Sequence, residues 1–582
     1  MSKSFLISGA VLLMVACAIL KNSYSKNIST KNPAQRVHEY KAKNVIGCSP
    51  FVEESFSDNQ TSIIPLLKGW GNYRIAIKAN NDSTQLYFNQ GFNMFYGFHR
   101  AEAIASFKQA LTFDSTSGAC YLGLVLSYAP NINAVPYRQH PNLFTFLEKA
   151  ILYAPNTGKF EKALIDAQLK RFNKDTNISR QQLNEYYVIA MKKVYEDFPE
   201  NADAGALYAD ALMQLHPWDL YDKSGNPKKW TREVEGLLEK LLKKFPRHPG
   251  LNHYYVHCVE ASNTAQRGLT SAKKLELLTP GMSHMVHMAS HIYVRTGYYK
   301  QGVQSNEKAI EAYEQYRKQF PGVERGAGFY YDHSLSMQFA NALMLPDYNS
   351  AIRVAYAKRL SSEPVIKQSP ASLSTAQQYN YSFPILASIR YGKWDSILTD
   401  PLLNDKWIYA SFLQHYARGL AFARNNRIKD AQKELECMQT LINDPILNEH
   451  EPLNNAPVAG CKVAHYTLMG VIAEEQKDFD KALDYLQKAV QFEDSMIYNE
   501  PKDWLLPARA YLGNALLKAG MFAKAETVFK KDMTINPDNI WSLNGLYLAL
   551  KAQNNLKESH SVYKQVKRGL INGDIKLNGA VF

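Results

Sequence analysis

The chain has 582 residues, 46% of them hydrophobic and 21% charged, with a formal net charge of +13. This is an ordinary soluble composition, yet the length is too great for one small core and points to several domains or a repeat array. The basic excess is spread without a concentrated Lys/Arg tract, so a solvated surface rather than a nucleic-acid partner is expected.

Residues 1–25 read as a targeting segment. Lys3 precedes the uncharged run Phe5–Leu20, which is short for a membrane span and suits the core of a signal peptide. Export to the periplasm or cell envelope of a bacterium is therefore expected. Cys17, in MVAC, resembles a lipobox cysteine, so a lipid anchor or another N-terminal membrane attachment is the alternative to cleavage. The remaining Cys48, Cys120, Cys258, Cys437 and Cys461 are odd in number and show no CxxC spacing, which argues against a disulfide framework or zinc ribbon.

Residues 26–82 form a polar tether and an irregular N-terminal cap, within which KGWGNYRIAI (68–77) is a short strand or an extended cover. Residues 83–360 follow as an N-terminal and central helical array, 361–378 as a Pro/Ser-rich surface loop, 379–570 as a C-terminal array and 571–582 as a tail. A further insertion, residues 216–230, carries turn chemistry in Asp-Lys-Ser-Gly-Asn-Pro. Three stretches repeat one pattern. Gly91 precedes Ala103, Phe107 and Ala110; Gly470 precedes Ala482 and Ala489; Gly513 precedes Ala525 and Phe529. In each the first Gly-to-Ala spacing is twelve residues. Small residues at this spacing let the two helices of a tetratricopeptide repeat (TPR) pass closely while a phenylalanine fills the gap. The expected fold is all-α, a TPR-type right-handed α-solenoid with at least eight helical hairpins.

Within the first of these arrays the histidines gather. Seven of fifteen fall between His248 and His333, where even scatter would give about two. His253, His257 and Glu260 stand at i, i+4 and i+7, one helical face; His284, His287 and His291 do the same at i, i+3 and i+7. His287 lies 34 residues after His253, and His291 lies 34 after His257, which is the TPR period. Successive repeats would then bring His253, His257, His287 and His291 to one cavity, with Asp210 or Glu260 supplying a carboxylate.

Such a set suits a divalent transition metal: zinc, iron, manganese or copper. His284, His333, Tyr254 and Arg295 are candidate ligand-binding residues of the same groove, with His333 expected to stack near His284. No HExxH helix, Gly-rich phosphate loop or GxSxG elbow is present, so no reaction is indicated. Two functions stay open. One is a solenoid binding a protein, peptide or small molecule in its concave groove. The other is a metal-dependent hydrolase or oxidoreductase.

The phrases YFNQGFNMFYGFHRAEAIASF, SYAPNIN, LHPWDLYD, HPGLNHYYVHCVEAS, HMVHMASHIYVRTGYY and EPKDWLLPARAYLGNALLKAG resemble a family of large, exported bacterial TPR proteins with HYYxH and HMxxH-type histidine motifs. The resemblance runs from about Leu67 to Leu550 and implies the architecture and a shared groove, without a reaction. Members of that family tend to read GFNHAEA where this chain reads GFHRAEA, so His99 stands one place early and Arg100 takes the histidine position. They also tend to carry a second histidine where this chain has Ser336.

Overall fold

The computed structural model describes residues 64–133, 137–175, 177–319, 324–368, 375–403, 406–449 and 455–582. The targeting segment, Cys17 and most of the tether lie outside these residues. The described chain is all-α, a TPR-type solenoid of successive helical hairpins. Asp82–Tyr96 packs on Arg100–Phe113, Ala202–Leu215 precedes Thr231–Lys244, and Pro249–Val259 precedes Leu269–Leu278. Later, Pro457–Glu475 packs on Phe479–Ser495 and Ile540–Ala552 on Leu556–Leu570. Among the described residues the β content is one isolated bridge, Tyr221–Pro227, and no helix is long and apolar enough to cross a membrane.

The glycine spacing has the expected cause. A Cβ on Gly91 would fall 2.7 Å from the Phe107 ring, and one on Gly123, in the next hairpin, 2.5 Å from it. Phe107 is fully buried between the two helices. Phe529 repeats the arrangement between Gly513 and Gly545, at 2.4 and 2.3 Å. Each phenylalanine therefore stitches its own hairpin to the following one, and only a residue without a side chain lets the ring in.

Residues 64–80 are an extended strap without a sheet. Along 71–79 the odd-numbered residues are half-buried and the even-numbered exposed, the period of a strand. Its partner is a helix. The backbone N–H groups of Tyr73, Ile75 and Ile77 donate to the side-chain carbonyls of Asn93, Asn89 and Gln85. Asn93 Nδ2 and Gln85 Nε2 donate back to the carbonyls of Tyr73 and Ile75. Gln85, Asn89 and Asn93 recur every four residues, so one polar stripe of helix Asp82–Tyr96 replaces a neighbouring strand. The sequence alternatives resolve to the extended cover.

Of the Pro/Ser-rich stretch 361–378, expected as a surface loop, residues 369–374 lie outside the described residues, and the rest is helical. Helix Tyr348–Gln368 runs through Pro364, and another helix, Thr375–Tyr381, begins before the stretch ends. Lys358, Ser362 and Ile366 are buried at four-residue spacing on the first of these. Packing of that face outweighs the one N–H that Pro364 lacks. The 216–230 insertion does turn as expected: Asp222 Oδ1 accepts from the N–H groups of Ser224 and Asn226, and Gly225 has φ +75°.

Two apolar cores, one within residues 64–316 and one within 303–580, meet near helices Tyr299–Gln319 and Glu324–Ala342. The second half also folds back onto the first. Tyr299 Oη donates to the Pro537 carbonyl at 2.7 Å, and Lys223 Nζ to the Ser495 carbonyl at 2.9 Å. This closure delivers the segment after Ser495 to the histidines.

Candidate metal centre

Helix Pro249–Val259 carries His253 and His257, with Glu260 as its C-cap. The equivalent helix of the next repeat is broken into Ser283–His287 and Ala289–Thr296 at Met288. His253, His257, His284, His287 and His291 are all 0–3% exposed. The structure does not gather them as a single group of four. His253, His257 and His284 bring ligand atoms within 4.8 Å of one another, and so, separately, do His287, His291 and His333. Glu260, His291 and Glu500 make a third such group that overlaps the second.

The split follows from the extra histidine one turn earlier. His284, rather than His287, meets the first helix, with Nε2 3.1 Å from His253 Nε2. His287 turns to His291, Nε2 to Nε2 at 2.8 Å. The 34-residue offset gives equivalent positions but not one shared point. His333 also departs from expectation. It lies well inside helix Glu324–Ala342 and packs on His287, at 4.7 Å between ring centroids, while Tyr330, one turn before it, stacks on His284 at 4.5 Å.

Hydrogen bonds fix which nitrogen each ring presents. His253 Nδ1 lies 2.6 Å from the Tyr96 carbonyl, which can only accept, so Nδ1 carries the proton. His287 Nδ1 lies 2.6 Å from Asn306 Oδ1, and Asn306 Nδ2 is committed to the Gly302 carbonyl, which sets the amide orientation. His257 Nδ1 donates to Glu260 Oε1 at 2.8 Å. All three therefore present a bare Nε2 lone pair, the arrangement of a metal-ligating histidine whose other nitrogen is anchored by an acceptor. His257 Nε2 and His284 Nδ1 are buried with no protein partner, and so is Glu500 Oε1.

Neutral His284 can donate Nε2–H to His253. His291, whose Nδ1 faces two carboxylates, instead turns its Nε2 lone pair on that of His287. That meeting, and buried acceptors facing nothing, are costly unless a cation or proton lies between them. Protonating the imidazoles is resisted. Burial, reinforced by neighbouring imidazole charge, holds His253, His284, His287 and His333 well below the usual histidine range. His257 is pushed down to about 3 by burial. Neutral imidazoles are the form that binds metal. The donor set thus fits a divalent transition metal.

The carboxylates divide differently from the sequence expectation. Glu260 joins the two histidine groups, its Oε1 on His257 and its Oε2 2.7 Å from His291 Nδ1. Asp210 does not take part. It accepts from Gln214 Nε2 at 2.5 Å and faces Arg171 and Arg100, and burial pushes it up to about 6. Arg100, in the place where the resembled family tends to have histidine, thus belongs to this neighbouring polar cluster, while His99 packs between Trp70 and Tyr330.

The carboxylate that sequence reasoning missed is Glu500, which contacts His291 Nδ1 from the segment after helix Phe479–Ser495. Glu500 opens the phrase EPKDWLLPARAYLGNALLKAG, but no spacing ties it to the histidines; the folding-back of the second half places it there. Burial, then the charge of Glu260, pushes its carboxyl up to about 7.

Of the other named residues, Tyr254 is buried in the core against Tyr96 and Phe98, with its ring 5.9 Å from that of His253. Arg295 donates to the Ser262 carbonyl and lies over the Tyr498 ring, beside a small cavity it shares with Glu500. Trp218, from the 216–230 insertion, sets its ring edge against His257 at 5.9 Å. Cys258 faces Glu235 and Tyr221 and contributes no thiolate to the centre. A cavity of about 500 Å³ adjoins the centre, walled by His333, Glu500, Ser336, Lys358 and Lys502 among others.

Comparison with known proteins adds one local assignment. A Tetratricopeptide repeat model matches residues 466–495, the hairpin that contains Gly470, Ala482 and Ala489. No curated protein matches the chain. Among solved structures, a human IFIT1 dimer with m7Gppp-AAAA shares 13% identity over 84% of this chain and 90% of that one, with a TM-score of 0.28. The APC/C hetero-tetramer Cut9–Hcn1 shares 13% over 84% and 76%, with a TM-score of 0.26. At these scores the fold assignment rests on the hairpins and the matched repeat.

Proposed function

We propose that the protein is a metal-binding TPR-type solenoid whose buried histidine–carboxylate centre holds a zinc, iron, manganese or copper ion next to a ligand cavity. The observation that carries this reading is the shared tautomer of His253, His257 and His287, each with Nδ1–H anchored and Nε2 unprotonated. His253, His257 and His284 would hold one ion. His287, His291 and His333 offer a second position beside it, and Glu260 and Glu500 reach the other nitrogen of the shared His291. Because His333 and Glu500 also wall the cavity, a small molecule or peptide entering it meets the second position directly.

The test is titration of metal-free protein with cobalt(II), followed by visible absorption. Imidazole and carboxylate ligation at an enclosed site gives ligand-field bands that His257→Ala with His291→Ala removes while helix content stays intact. A featureless spectrum for the folded wild type sinks the reading.

The partnerless Glu500 Oε1 on the cavity wall favours a second reading, metal-dependent chemistry on the cavity's ligand. Turnover that is lost with the metal and restored by it, and is abolished in Glu500→Gln, would separate an enzyme from a binding protein. Export also belongs to the proposal, from Lys3 and the apolar run Phe5–Leu20. Full-length, unprocessed protein confined to the host cytosol would refute it.

A further inference from the structure

The strap has a second edge. In an extended chain the N–H and C=O of alternate residues point to opposite sides. Tyr73, Ile75 and Ile77 turn theirs to the amide stripe of helix Asp82–Tyr96. The backbone groups of Arg74, Ala76 and Lys78 therefore point the other way, where no group of the described residues meets them. That side is a groove of about 920 Å³. The strap forms one wall, and the opposite wall is built from the turns at 158–161, 200–203 and 245–248.

The groove's chemistry identifies its occupant. An open edge of alternating donors and acceptors matches an extended backbone and no other common shape. Phe160, Phe245, Ile75 and Ile77 supply apolar contact. Its carboxylates are already engaged: Asp203 with Tyr96, Tyr73 and His248, and Glu200 with Lys244. Glu161 is turned onto the helix start at Gly158. Among the described residues, Arg74, Lys159 and Arg247 are exposed cations of the groove with no carboxylate partner, and Lys78 has Glu161 nearby. Helices Lys159–Arg171, Ala202–Leu215 and Pro249–Val259 also start at this wall and add positive ends. A second copy of the strap would bring Arg74 and Lys78 against the same charges, which disfavours self-pairing.

We propose that this groove docks an extended, acidic segment of a partner protein, added as a strand to residues 73–78 and recognised by Arg74, Lys78, Lys159 and Arg247. The site is separate from the metal centre and does not depend on it.

The test uses the full chain and a capped octapeptide of alternating glutamate and valine, followed by fluorescence anisotropy. The same peptide with lysine for glutamate, and one N-methylated on alternate residues, serve as controls. The acidic peptide should bind, the lysine peptide should not, and N-methylation along one edge should weaken binding roughly tenfold or more. Ala76→Pro removes one outward N–H at a position whose extended backbone tolerates proline, and should weaken binding similarly. Arg74→Glu with Arg247→Glu, both on the surface, should abolish it. Absence of binding to the folded wild type overturns the proposal. So does binding that is indifferent to N-methylation and to Ala76→Pro, because charge alone would then hold the peptide.

Discussion

Glu260 Oε2 lies 2.7 Å from Nδ1 of His291 while Glu260 Oε1 accepts from His257, so one carboxylate couples two histidine groups borne on successive repeats. Both residues are fully buried. The centre is thus a joint between repeats, and its parts should respond together.

Glu260→Gln keeps the shape of that joint and removes its charge. Loss of such an anchoring carboxylate typically costs 10- to 100-fold in metal affinity. We expect a loss of that order, read by competition with a chromophoric chelator, with circular dichroism unchanged. An unchanged affinity would remove Glu260 from the centre.

Glu500 and Asp210 make a paired test, since the sequence offered Asp210 as an alternative to Glu260 and the structure brings Glu500 to His291 instead. Glu500→Gln should shift the cobalt(II) spectrum and weaken metal binding. Asp210→Asn should leave both unaltered, because Asp210 faces Gln214, Arg171 and Arg100. The reverse pattern would contradict the geometry.

Asp210 also predicts a pH effect on stability. Burial raises its folded-state pKa to about 6, above the ordinary aspartate value of 3.8. Between those values the folded state binds more protons than the unfolded state, so this residue's contribution falls as pH rises. The gap corresponds to about 3 kcal/mol at most. Wild type minus Asp210→Asn stability, from denaturant midpoints, should therefore be larger at pH 4.5 than at pH 8. A difference independent of pH would mean that Asp210 stays ionised in the fold.

Phe107→Ala leaves a cavity between Gly91 and Gly123, where two hairpins share one ring. A fully buried phenylalanine truncated to alanine costs about 3–5 kcal/mol. Denaturant unfolding should show a loss in that range, and Phe529→Ala should behave alike at the other end of the array. A loss below about 1 kcal/mol would mean that the neighbouring helices close the gap.

The repeat was legible because its cause is local: Gly91 and Phe107 stand sixteen residues apart on one hairpin, and sequence spacing reports their contact. The histidines were legible for a related reason, since pairs four residues apart share a helix face. Two things were not. His284, rather than His287, meets His253, and spacing does not reveal which histidine of one face reaches the neighbouring helix. Glu500 reaches His291 through tertiary closure between halves more than two hundred residues apart. Composition misled once, at residues 361–368, where Pro and Ser read as a loop but Lys358, Ser362 and Ile366 form a buried helical stripe.

The most direct test of the central claim is elemental analysis of full-length protein purified without a histidine tag, alongside His257→Ala with His291→Ala prepared identically. The account predicts at least one tightly held transition-metal ion per wild-type chain. It predicts loss of that ion in the double variant, with the helical signal of the two proteins superimposable. Folded wild type that carries no stoichiometric metal as isolated, and takes up none from excess zinc, iron, manganese or copper, would contradict it.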